Sequence, residues 1–123
     1  MDGRPVSFVQ VQDRAAGVAW YRDVLGLEHT GSDPFGDEFA FGEGKLRLTA
    51  LPDFVPHAYP VVGLEVADLR AAMVELRAHG VRFEVYDGMG QDAEGVWTSP
   101  DGAARIAWFK DSGGNLLSLS ECH

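Results

Sequence analysis

Residues 107–121 read AWFKDSGGNLLSLSE, and this stretch decides the architecture. Ala107 to Lys110 is mostly apolar, so it reads as a strand. Asp111-Ser112-Gly113-Gly114-Asn115 is a turn cluster, with two glycines free to take positive φ. Leu116 to Glu121 then alternates: Leu117 and Leu119 point one way, Ser118 and Ser120 the other. A hairpin with one apolar and one hydroxyl face walls either solvent or a cavity.

The same elements recur outward from this hairpin. Val6 to Gln12 alternates as a strand, Asp13 follows as a helix N-cap, and a helix is predicted from Arg14 to Leu25, ended by Gly26. Val18, Tyr21, Val24 and Leu25 share its apolar face. Leu27 to Thr30 reads as a short edge strand, Gly31 to Pro34 as a turn, Glu38 to Phe41 and Lys45 to Leu51 as strands. Pro52 to Pro60 holds three prolines and no period, so it reads as a connection; His57 sits in it as an exposed loop residue. Val61 to Ala67 is a second opening strand, Asp68 a second cap, and Leu69, Ala72, Met73 and Leu76 a second buried stripe, stopped by Gly80. Val81 to Tyr86 reads as a strand, 87–95 as a polar glycine-rich loop, and Val96 to Thr98 as a strand before the closing hairpin. The two capping aspartates, Asp13 and Asp68, lie 55 residues apart, and Leu46-Arg47-Leu48 corresponds to Leu117-Ser118-Leu119. Order and period predict an α+β fold of two βαβββ modules, one repeat unit used twice. The 123 residues form one domain, with module one about 5–51, a linker at 52–60 and module two about 61–121.

Composition narrows the function. Hydrophobic residues make up 46% and charged residues 24%, as in ordinary globular domains. The net charge of −9 argues against nucleic acid, whose phosphates need clustered Lys and Arg. No apolar run approaches the ~20 residues that span a bilayer, and MDGRPVSF lacks the basic head and apolar stretch of a secretory signal, so no membrane partner and a cytoplasmic location are expected. Cys122 is the single cysteine, which rules out an intrachain disulfide.

The paired modules, the helix end Trp20-Tyr21-Arg22-Asp23-Val24-Leu25-Gly26 and the turn Asp111-Ser112-Gly113-Gly114-Asn115 resemble the vicinal oxygen chelate superfamily of glyoxalases, bleomycin-resistance proteins and extradiol dioxygenases. The turn departs from the usual pattern in lacking its proline and second aspartate. The resemblance implies a curved mixed sheet around a cavity, with the helices outside. Val9, Val11, Val62, Leu64 and Val66 would then face the helices. Val6, Phe8, Gln10, Arg47, Thr49, Val61, Gly63, Glu65, Ser118 and Ser120 would face the cavity.

Metal-dependent members carry four ligands on the cavity-facing strands. The resemblance puts these at Val6, Val61, Arg47 and Ser118, and a slip of two residues brings in Phe8 and Gly63. Valine has no donor atom and arginine repels a cation, so no metal cofactor is expected. Gln10 and Glu65 are the remaining same-face candidates, and two ligands make a poor site. His29, His57 and His79 do not fall on one face of one element.

The predicted ligand-binding residues are Phe8, Gln10, Arg47, Glu65, Trp97 and Ser118, with Trp108 as a further candidate. Glu65, a carboxylate in an apolar strand, is the weak catalytic candidate, and Arg47 is its partner if both line the cavity. Two readings follow. One is metal-free binding of a small molecule, of the antibiotic-sequestration type, for which the acidic balance suits a cationic or polar aromatic ligand. The other is a divalent-metal lyase, isomerase or dioxygenase, or an enzyme using Glu65 as general base. The resemblance also implies a homodimer.

Overall fold

Alternation, caps and glycine stops place the elements. The computed structural model describes residues 1–123. β1 (Val6–Val11) leads to α1 (Arg14–Ala19), which continues as a π-helical turn over Trp20–Val24. β2 (His29–Asp33), β3 (Gly36–Phe41) and β4 (Gly44–Ala50) follow, and the four strands form a sheet in the order β1-β4-β3-β2. The second half repeats this with β5 (Pro60–Glu65), α2 (Leu69–Ala78), β6 (Trp97–Thr98), β7 (Ala104–Lys110) and β8 (Leu116–Cys122), in the order β5-β8-β7-β6. In each sheet the opening strand pairs in parallel with the last strand, and the other pairs are antiparallel. The fold is α+β, two βαβββ modules, as the repeat predicts. Contacts group Met1–Pro56 with Asp111–Asn115 as one compact unit, and His57–Lys110 with Leu116–His123 as the other.

In the first unit, Val9, Val11, Phe39, Leu46 and Leu48 are buried. The Asp13 carboxylate accepts from Ala16 N at 3.1 Å, capping α1. Gly17 lets the helix lie directly on β1 and β4, because a Cβ there would stand 2.9 Å from Leu48 Cδ2 and 3.2 Å from Val11 Cγ2. The expected single helix to Leu25 is corrected at Ala19, after which the helix widens: Leu25 N donates to Trp20 O at 3.1 Å across the π-turn. Tyr21 in that turn is fully buried, and its hydroxyl donates to Asp111 Oδ2 at 2.7 Å. Asp111 also accepts from Gly113 N, Asn115 N and Asn115 Nδ2, which closes the 111–115 turn on itself. Only Gly114 of the two turn glycines has positive φ, at +88°. Gly113 is instead a close approach, its missing Cβ 3.0 Å from Val11 Cγ1.

β2 runs further than expected. Asp33 Oδ1 accepts from Phe35 N at 2.7 Å and Gly36 N at 3.0 Å, so the turn sits at Pro34-Phe35 rather than at Gly31.

In the second unit, Val62, Leu69, Met73, Leu76, Ala107, Phe109, Leu117 and Leu119 form the core. Asp68 caps α2 by accepting from Ala71 N at 3.0 Å, and Glu121 Oε1 takes Leu69 N at 2.9 Å. Gly80, at φ +88°, ends the helix. The expected strand Val81 to Tyr86 is reduced to one bridge, Phe83 with Phe109. The Gln91 side chain explains this, since its Oε1 accepts from Tyr86 N at 2.7 Å and its Nε2 donates to Glu84 O at 2.9 Å, the groups a ladder would use. No helix is long and apolar enough to cross a membrane.

Candidate functional site

A strand whose alternate residues are buried under a helix presents the rest outward. On the first sheet the outward row at mid-sheet is Phe8, Arg47 and Glu38, aligned by strand register. Phe8 is 65% exposed. Arg47 Nη1 donates to Glu38 Oε2 at 3.0 Å, and Nη2 donates to both Asp33 carboxylate oxygens at 3.1 Å. Lys45 adds a second cation to Glu38 at 3.3 Å. The Arg47 guanidinium holds the Asp33 carboxyl below the ordinary carboxylate range; Lys45, then Arg47, does the same for Glu38. One row on, Thr49 Oγ1 donates to Gln10 Oε1 at 2.5 Å. The expected pairing of Arg47 with Glu65 is thus corrected: the guanidinium is neutralised on its own sheet.

Asp37 is, with Asp111, a buried carboxylate of this unit. It accepts from Arg14 Nε at 2.6 Å and meets His29 Nε2 at 2.8 Å. Burial pushes its carboxyl up, but the hydrogen bonds from Arg14, Ser32 and His29 outweigh that and hold it low.

The second sheet carries the equivalent row as Gly63, Ser118 and Trp108, and the next as Glu65, Ser120, Ile106 and Trp97. Three of the predicted residues, Glu65, Trp97 and Ser118, therefore share one sheet face. Gly63 leaves room for the Ser118 hydroxyl, since a Cβ there would stand 2.9 Å from Ser118 Oγ. Glu65 is exposed rather than buried, and its carboxylate takes the hydrogen bond of the Cys122 thiol. The cost that made Glu65 suspicious does not arise. That bond, with burial and Glu121 adding to it, pushes the thiol up.

Below this row Tyr59, Pro60, Tyr86, Met89, Trp108 and Leu116 line a shallow, open pocket of about 380 Å³. Trp108 is the floor, 8% exposed. The Tyr86 ring meets it at 72°, with centroids 6.3 Å apart. Tyr59 stacks on His57 at 4.8 Å and 13°. Tyr59 is 60% exposed, Tyr86 and Met89 38% each. Burial raises the Tyr86 hydroxyl pKa and Glu84 adds to it, while Lys110 opposes; the phenol therefore stays neutral at ordinary pH. Lys110 and Glu84 neutralise each other at 3.4 Å.

Tyr59, Tyr86 and Met89 were not among the predicted site residues. They lie in the proline-rich connection, at the end of the expected strand and in the glycine-rich loop. The available signal was large apolar side chains inside segments too rich in Pro and Gly to belong to a core.

At the positions to which the resemblance assigns metal ligands, Val6, Val61, Arg47 and Ser118, with Phe8 and Gly63 after a slip of two, strand register sets Phe8 beside Arg47 and Gly63 beside Ser118. The unslipped positions, Val6 and Val61, add no donor. No group of three or more His, Cys, Asp or Glu side chains is arranged to hold a metal ion. The residues present do not fit a divalent metal.

Two βαβββ modules, each a mixed four-stranded sheet with one helix, define the class of fold. The Glyoxalase/Bleomycin resistance protein/Dioxygenase superfamily model matches residues 5–119, and the chain belongs to that superfamily. Among solved structures it is similar to a lactoylglutathione lyase from Agrobacterium tumefaciens, at 18% identity and TM-score 0.74, covering 98% of this chain and 94% of that one. It is also similar to the fosfomycin resistance protein FosX from Listeria monocytogenes, at 14% identity and TM-score 0.77, covering 100% and 95%. A superfamily member from Sphaerobacter thermophilus aligns at 20% identity and TM-score 0.74, covering 98% of both chains. At these identities the likeness is one of fold. No curated protein matches the chain.

Proposed function

We propose that this chain binds a small apolar or aromatic molecule in the pocket of its second unit, and does so without a metal ion. One observation carries the reading: Tyr59, Tyr86 and Met89 stay partly exposed around a concave apolar space floored by Trp108. Large apolar groups held open around a cavity are the signature of a ligand site, because an unoccupied one leaves their surface in water. Its volume, about 380 Å³, lies within the range of small-molecule sites. The failed fit of the metal positions supports the metal-free part, and no step of chemistry is assigned to Glu65, which stands in solvent on Cys122.

Titration with a panel of aromatic and heteroaromatic compounds, read by tryptophan fluorescence, tests the pocket. At least one saturable quench is expected, and it should be lost in Trp108→Leu. Saturable binding that survives both Trp108→Leu and Tyr86→Leu would move the site elsewhere. Elemental analysis of untagged protein tests the metal-free part. One equivalent of a transition metal per chain would overturn it.

A further inference from the structure

Resting on that binding reading, we infer that the pocket takes a quaternary or fully methylated ammonium group.

The angle of the walls comes first. Tyr86 and Trp108 meet at 72°, so their faces form a corner rather than a slot. A flat ring can lie on one wall of a corner but cannot be clamped by both. A compact, rounded group touches both at once. Tyr59, braced by its stack on His57, adds a third aromatic wall.

The charge of those walls comes second. Aromatic faces are electrically negative, so a group seated against several of them gains most when it is a cation. No cationic side chain lines the space to oppose one, and the nearby Lys110 is already neutralised by Glu84. The net charge of −9 raises the local concentration of cations around the whole chain.

The cation's hydrogen bonds come third. A primary ammonium or a guanidinium would bring N–H donors that need acceptors once water is displaced. The lining side chains offer tyrosine hydroxyls and a Met89 thioether, and no carboxylate. A cation without N–H groups loses least on entering such a space, and the polarisable thioether suits methyl contact. A trimethylammonium head fills only part of the roughly 380 Å³, leaving room for a short substituent.

The decisive pair of probes is choline and 3,3-dimethyl-1-butanol, which share shape and differ in charge. Calorimetric titration of the intact chain should show choline binding about tenfold more tightly or better, the size of a desolvated cation–π contribution. Tyr86→Phe should keep this preference and Tyr86→Leu should lose it, and a side chain this exposed can be changed without disturbing the core. Equal affinity for the two probes would overturn the inference and leave the apolar pocket standing. If neither binds while a flat neutral aromatic does, the inference fails alone. If no probe or panel compound binds, the binding reading fails with it.

Discussion

Set the two mid-sheet rows side by side. Phe8, Arg47 and Glu38 cross β1, β4 and β3; Gly63, Ser118 and Trp108 cross β5, β8 and β7 at the same topological positions. In the first row a guanidinium sits between carboxylates, and its hydrogen bonds are taken. In the second, two small residues leave space beside a tryptophan that floors a cavity. Strand order and caps are repeated, but the row chemistry is not. The difference teaches that the repeat conserves what shapes a sheet and frees what the sheet displays. Carboxylates of the first unit hold structure, and aromatic rings of the second unit hold the candidate ligand site.

That division can be broken by experiment. The largest expected effect is at Asp111, whose carboxylate satisfies Tyr21 Oη, Asn115 Nδ2 and two backbone N–H groups. Asp111→Ala should lower stability by about 4 kcal/mol in urea titration, since several buried donors lose their acceptor together. Asp37→Asn should cost about 2 kcal/mol by the same measurement, because the partly exposed Arg14 and His29 lose a buried charge but keep a hydrogen-bonding group. In either variant, a change in ligand affinity much larger than the loss of folded protein would break the division of labour.

A smaller effect concerns pH. The Asp33 and Glu38 carboxyls are held below their unfolded values by Arg47 and Lys45. Their contribution is complete above the unfolded carboxyl range and is lost as pH falls through the lower folded values. Melting curves of wild type and Arg47→Met should therefore differ most near neutrality and converge in acid. A gap that widened in acid would reverse the assignment. The smallest effect sharpens the contrast: Arg47→Met should leave affinity for any pocket ligand unchanged, measured in the titrations described for the second unit.

Much of the fold was legible in the sequence, because its signals are local. Asp13 and Asp68 each cap the helix they precede, and Leu117 and Leu119 are buried while Ser118 and Ser120 are not. The misses occurred where a side chain took over backbone groups: Asp33 moved a turn, and Gln91 replaced a strand ladder. Of the candidate site, Trp97, Ser118 and Glu65 do share one face, and Trp108 does floor the pocket. Arg47 was paired with Glu65 because alternation shows which way a side chain points, not which carboxylates a neighbouring strand brings to it. Tyr59, Tyr86 and Met89 escaped because loop residues follow no period, so only the folded chain shows them converging.

The bond between Glu65 and Cys122 carries a practical consequence. Cys122 is exposed and is the chain's only thiol, so it is a natural handle for attaching a dye or spin label. With its proton held by a carboxylate, little of it is the reactive thiolate at neutral pH, and maleimide coupling should be sluggish until the buffer is made alkaline. The same restraint slows air oxidation, so preparations should resist covalent cross-linking through this residue even without added reductant. Glu65→Gln should speed the coupling, turning a strand carboxylate into a dial for labelling chemistry.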